Sequence, residues 1–179
     1  MMYIKEHFKY ADVGNLQVLE LPYKGEDLSM IVLLPKKVDG IDELEKSLTV
    51  ENLAKWIRSI FKLEVKVYLP KFTFTSEFSL KKMLSGMGMP DAFDMKKADF
   101  SGMESKKELF ISQVLHKAFV EVNEEGTEAA AATAVIMTMG GMPPKPFEFR
   151  ADHPFIFLIR DNKTGSVLFM GKVMNPVEK

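Results

Sequence analysis

Residues 123–149, NEEGTEAAAATAVIMTMGGMPPKPFEF, constrain the fold of this chain more than any other stretch. The segment opens with acids and a glycine, runs through Ala129 to Ala132, and ends in methionines, glycines and prolines. Alanine is the strongest helix former. Yet Leu109 to Val122 on one side and Phe155 to Met174 on the other read as strands. Any fold must therefore accommodate a long small-residue segment between two strands of a largely β protein.

The rest of the chain supplies the surrounding elements. Asn15–Tyr23 and Leu28–Pro35 are apolar runs separated by Lys24-Gly25-Glu26-Asp27, the pattern of a hairpin. Gly40–Leu48 and Thr49–Phe61 are helix candidates. In the second, Thr49 is placed to cap, and Glu51 sits in the first turn, where the helix dipole favours an anion. Leu53, Trp56, Ile57 and Ile60 recur at three-four spacing, so one face of that helix is buried. In LEVKVYLP, Leu63, Val65, Val67 and Leu69 alternate with Glu64, Lys66 and Tyr68, which predicts a half-solvated strand ended by Pro70. Lys71–Thr75 is a second extended piece, and Ser79–Met89 a short helix with glycines at its end. Glu108–Asn123 reads as one long strand, and Asp161–Gly165 as a turn joining two more. Strands dominate and helices cluster mid-chain, so the fold class is α+β with mostly antiparallel pairing.

Composition narrows the function classes. The 179 residues carry 24 basic and 25 acidic side chains, a net charge of -1. That balance argues against nucleic acid or an anionic membrane as the main partner. With no cysteine there is no disulfide or thiol chemistry. No apolar run reaches the ~18 residues of a membrane span, and Met1–Tyr10 is too charged for a signal peptide. His7, His116 and His153 lie far apart with no partner at ligand spacing, so neither a metal nor another cofactor is expected. His116, inside a long strand, reads as a hydrogen-bonded core histidine. Gly86 and Gly88 lack the preceding strand and third glycine of a nucleotide loop, and no serine sits in a Gly-x-Ser-x-Gly elbow. The residues indicate no enzyme and no catalytic set. Asn162-Lys163-Thr164 has the pattern of a glycosylation acceptor.

VNEEGTEAAAATA (122–134), followed by ADHPFIFLIRDNKTGSVLFMGKVMNP (151–176), resembles the serpins, a superfamily of serine protease inhibitors. LELPYKGEDLSMIVLLP, LPKFTF, LKKMLSGMGMPDAF, ADFSGM and ISQVLHKAFVEVNEEG extend the likeness in order along the chain. The resemblance implies a serpin fold of which residues 1–179 form the C-terminal half, with 124–144 as the reactive-centre loop. It implies suicide inhibition. The protease attacks the bait bond, and the cleaved loop inserts as a new strand and drags the acyl-enzyme with it, driven by stored strain.

The loop's composition suits insertion. Strand side chains alternate faces, so Thr127, Ala129, Ala131, Thr133, Val135 and Met137 would face inward. The first of these are small and open the sheet at little steric cost. The later ones are larger and bury surface worth about 25 cal/mol per Å2. Gly126 can act as a pivot, making Gly126, Thr127, Glu128, Ala129, Ala130, Ala131 and Ala132 the hinge. Proline, which would remove a ladder donor, is absent from Glu124 to Met142.

Family spacing puts the bait bond within Met139, Gly140, Gly141 and Met142, with Met139–Gly140 and Gly140–Gly141 leading. The absence of arginine and lysine from Glu125 to Pro144 favours an elastase-, chymotrypsin- or subtilisin-like target over a trypsin-like one. Lys71 and Glu124 match a gate ion pair, and His116 a latch of the central sheet. The partners implied are the target serine protease and the N-terminal half, on the same or a companion chain. A carrier, chaperone or inactive fragment is the alternative. The Asn162 pattern tilts the location toward extracellular, with cytoplasmic as the alternative.

Overall fold

A computed structural model describes residues 1–104, 108–123 and 145–176. The chain divides into two compact units, Met1–Phe72 with Val122–Lys179, and Thr73–Glu121.

The first unit is built on a seven-stranded sheet. Its strands are β1 (Met2–Val13), β2 (Leu16–Pro22), β3 (Leu28–Pro35), β4 (Phe61–Leu69), β7 (Phe147–Arg150), β8 (Phe155–Asp161) and β9 (Val167–Val173), in the order β7-β4-β1-β2-β3-β8-β9. All pairings are antiparallel except β4 with β7, which is parallel. The long β1 spans two neighbourhoods: Met2 to Tyr10 pair with β4, while Lys9 to Val13 pair with β2. The apolar runs of β2 and β3 are buried on both faces, as continuous rather than alternating hydrophobicity requires. On one face, Leu16, Val18, Ile31, Leu33, Ile156 and Leu158 pack beneath Ile41 and Leu44 of α1 (Ile41–Ser47) and beneath Leu53 and Trp56 of α2 (Val50–Arg58). Thr49 caps α2, its hydroxyl accepting from the Asn52 amide at 3.2 Å. Hydrogen bonds from its own amide and from Thr49 hold the Glu51 carboxyl below its usual range. On the other face, Phe72 meets Phe155 and Phe157 at ring separations of 6.0 and 5.5 Å.

The second unit pairs β5 (Phe72–Ser79) with β6 (Leu115–Val122) and carries α3 (Lys81–Gly86) and a 3-10 turn at Asp91–Phe93.

The hairpin, the capped helix, the alternation of β4 ended at Pro70 and the α+β class agree with the sequence reading. Three assignments are corrected. Glu108–Asn123 is a strand only from Leu115. Upstream, the Ile111 amide donates to the Ala92 carbonyl and the Leu80 amide to the Val114 carbonyl, so this backbone braces other segments instead of a ladder. The helix read as Ser79–Met89 is shortened to Lys81–Gly86, with Gly88 at φ +104 just beyond it. β1 and β7 carried no strand assignment, and both turn out to position the site.

Candidate functional site

Residues 124–144 link two elements of different sheets. β6 precedes them, and β7, at the edge of the seven-stranded sheet, follows them. Everything read for the loop itself, namely Glu124, the hinge Gly126 to Ala132 and the bait zone Met139 to Met142, lies outside the described residues. What the structure describes is how its two ends are held.

The downstream end is held from several directions. β7 pairs with β4 in the register Val65–Phe147 to Tyr68–Arg150, and the Ala151 amide donates to the Tyr68 carbonyl at 2.9 Å. Phe149 is buried, and Tyr10 stacks against Phe147 and Phe149 at 5.4 and 6.4 Å. The Gln17 Nε2 donates both to the Tyr10 hydroxyl, at 2.8 Å, and to the Glu148 carbonyl, at 3.1 Å. Burial pushes the Tyr10 hydroxyl pKa up, Gln17 lowers it in part, and Asp12 adds to the rise. Arg150 lies over the Tyr68 ring at 3.9 Å, and its Nε donates to the Glu148 carboxylate at 3.0 Å. That carboxylate, with the Tyr68 and Asp152 charges, holds the guanidinium pKa up. Just beyond, His153 spans two acceptors, Asp152 Oδ1 at 2.8 Å and the Pro35 carbonyl at 2.5 Å, and ties the entry of β8 to the end of β3.

The upstream end is different in kind. β6 is largely exposed, with only Val120 buried. His116, read as a core histidine and as a latch of the central sheet, is exposed in this chain, where β5 is the strand beside β6 among the described residues. Lys71 is exposed between β4 and β5, while Glu124, its expected partner, lies outside the described residues.

The Asn162 amide is engaged on both atoms. Its Nδ2 donates to the Glu26 carbonyl at 2.8 Å, and its Oδ1 accepts from Ser29 Oγ at 2.7 Å. This side chain clasps the turn after β8 to the β2–β3 turn. There Glu26 holds a left-handed φ of +57 and Gly25 one of +88, conformations that need such fixing for a non-glycine residue. The nitrogen a glycan would occupy is thus a structural donor. Among the described residues, no three histidine, aspartate or glutamate side chains cluster as metal ligands would.

A family model described as serpin (serine protease inhibitor) matches residues 1–176. The chain belongs to the serpin family. Among curated serpins it is 48% identical to a leukocyte elastase inhibitor of Xenopus laevis, over 98% of this chain and 48% of that protein. It is 46% identical to the human leukocyte elastase inhibitor, with the same two shares. Serpin B10 of Bos taurus is 47% identical over 98% of this chain and 45% of its own length. A crystal structure of uncleaved ovalbumin superposes with a TM-score of 0.85 at 34% identity, covering 98% of this chain and 47% of ovalbumin. The chain therefore has the serpin fold and spans about half the length of the curated serpins it matches.

In serpin terms, the residues missed from sequence are Tyr10, Gln17, Tyr68, Glu148 and Arg150, which fix β7. Their signal was the Phe147-x-Phe149 alternation, too short at four residues to stand out from a loop.

Proposed function

We propose that this chain is the C-terminal half of a serpin that inhibits a serine endopeptidase as a suicide substrate, and that it is not an enzyme. Residues 124–144 are its reactive-centre loop. The observation that carries the reading is a proline-free, small-residue run from Glu124 to Met142 placed between strands of two sheets. A cut in that run would release the segment attached to β6, while β7 keeps its own ladder and side-chain anchors. The freed segment can then add to the β5–β6 sheet, burying Val135 and Met137 at about 25 cal/mol per Å2. Relatives named leukocyte elastase inhibitor and the lack of cations from Glu125 to Pro144 both favour an elastase-like target over a trypsin-like one. Lys71 and Glu124 would form the gate, and His116 would gain its partners from the N-terminal half. With Asn162 engaged, the argument for secretion lapses, and we assign the protein to the cytoplasm.

The test joins this chain to an upstream serpin half and mixes the product with leukocyte elastase. The expected result is a complex stable on a denaturing gel, with cleavage between Met139 and Met142 found by sequencing the released peptide. Complete elastase activity together with an uncut loop would overturn the reading. One observation favours the inactive-fragment reading for the 179-residue chain by itself: Val167, Leu168, Phe169 and Met170 of β9 are all 41–54% exposed, an apolar strand without cover.

A further inference from the structure

Five of the chain's 13 methionines, Met83, Met87, Met89, Met95 and Met103, fall in one stretch of the second compact unit, and all five are 39–81% exposed. A methionine usually fills a gap in a core, so this group is not explained by packing within that unit.

Three of the five gather at the end of α3. Met83 and Met87 are four residues apart, about 40° from each other around the helix axis and about 5–6 Å apart at Cβ. Just past the helix the chain turns through Gly88 at φ +104. There the Gly88 amide donates to the Ser85 carbonyl at 3.2 Å, and the Met89 amide to the Leu84 carbonyl at 3.1 Å. This paired closure folds the side chain after the glycine back toward the residue five before it. Here that brings Met89 toward Leu84, which stands about 100° from Met83. Met83, Met87 and Met89 thus share one sector of the helix end. The helix cations stand outside it. Lys82 is about 100° from Met83 on the side away from Leu84. Lys81 is held elsewhere, its ammonium 5.7 Å from the Phe93 ring centre and 3.4 Å from the Ser112 carbonyl.

We propose that Met83, Met87 and Met89 bind one Cu(I) ion through their thioether sulfurs. Soft thioethers select Cu(I), whereas imidazole suits zinc and carboxylates suit magnesium, calcium and manganese. The chain has no cysteine to compete for the ion. Among the described residues no cluster of three histidine, aspartate or glutamate side chains offers a harder site. The sulfurs are neutral, so a bound monovalent ion leaves a single positive charge beside Lys81 and Lys82, where a divalent ion would leave two. Methionine is unbranched with three rotatable bonds, which lets the three sulfurs close on an ion while the backbone fixes only their stems. An apolar partner would use the same side chains for their surface alone. Leucine in their place separates the two readings, since it keeps the volume and the apolar character and removes the sulfur. The proposal does not depend on the inhibitory reading.

The test titrates the 179-residue chain with Cu(I), held reduced by ascorbate, against a chromogenic Cu(I) chelator. The parent should take up one ion per chain. Met83→Leu/Met87→Leu/Met89→Leu should lose it without a fall in the metal-free thermal midpoint, while Met95→Leu/Met103→Leu should keep it. Ag(I), a redox-inert stand-in, should shift the isotope-labelled methyl signals of Met83, Met87 and Met89 in the parent and leave those of Met95 and Met103 in place. If the triple variant folds poorly, these shifts decide alone. No uptake by the parent, equal loss in both variants, or loss in neither would overturn the proposal. So would Zn(II) displacing Cu(I) at equal concentration. Uptake should also persist in the serpin completed with its upstream half; its disappearance there would make the three methionines part of a covered interface and overturn the site.

Discussion

Two neighbouring side chains show how much one residue can hold. Asn162 satisfies both the strained Glu26 backbone and Ser29. Replacing it by alanine strands a partly buried hydroxyl and a carbonyl, a loss on the order of 1–3 kcal/mol, measurable as a lower denaturant midpoint at unchanged slope. In the same turn, Asp161 accepts from the Thr164 amide at 2.6 Å, the Thr164 hydroxyl at 2.8 Å and the Lys163 amide at 3.0 Å. The two Thr164 bonds chiefly hold its carboxyl below the ordinary 3.8. A carboxyl depressed on folding contributes stability above its unfolded pKa and loses that stability as pH falls through the folded one. Thermal melts should therefore place Asp161→Ala below the parent at neutral pH and show the gap closing below pH 3.8. A gap constant down to strong acid would remove the carboxylate from the explanation. Mass spectrometry of chain made in a secretory host should find Asn162 without a glycan.

Among elements, the contrast between β6 and β7 sets what a cut between them would do. β7 has a strand neighbour, a buried phenylalanine and the Gln17 and Arg150 contacts, whereas β6 has one strand neighbour and little burial. On the proposed mechanism, insertion then depends on the side chains that must pass into the sheet. Ala131→Arg would place a long charged side chain at an inward position, where an unpaired buried charge costs several kcal/mol. In the serpin completed with its upstream half, this variant should be cut at the same bond but turn over as a substrate. The ratio of cleaved inhibitor to covalent complex should rise at least tenfold, as ~1.4 kcal/mol of lost driving force already implies. An unchanged ratio would mean that Ala131 does not enter the sheet. The strands themselves were unequally legible. β4 alternates without interruption and ends at a proline, so period and stop agree. β1 alternates too, but Glu6 falls among Met2, Ile4, Phe8 and Tyr10 and breaks the apolar row. The stretch from Glu108 to Val114 is apolar enough for a strand, yet its backbone bonds go to Ala92 and Leu80.

For the molecule as a whole, the chain covers about half of a serpin, and its surfaces reflect that. Phe78, Leu115 and Phe119 on the two-stranded sheet, and Phe169 and Met170 on β9, are 45–61% exposed. Exposed apolar strands and unpaired edges invite association. The 179-residue chain alone should bind a hydrophobic dye and sediment as oligomers, and should form no covalent complex with elastase. Adding the upstream half should suppress both the dye signal and the oligomers; if a monodisperse, dye-silent monomer appears without it, the need for a second half disappears. By itself, the sequence determined the α+β class, the hairpin, the capped helix and a small-residue segment without proline, because periodicity, capping and proline chemistry act over a few neighbours. The tertiary structure alone decided that β7 is locked by Tyr10, Gln17 and Tyr68, that Asn162 is a clasp, and that His116 is exposed. Those outcomes turn on strand register and on which strands lie side by side, and no local rule of the chain encodes a register between strands distant in sequence.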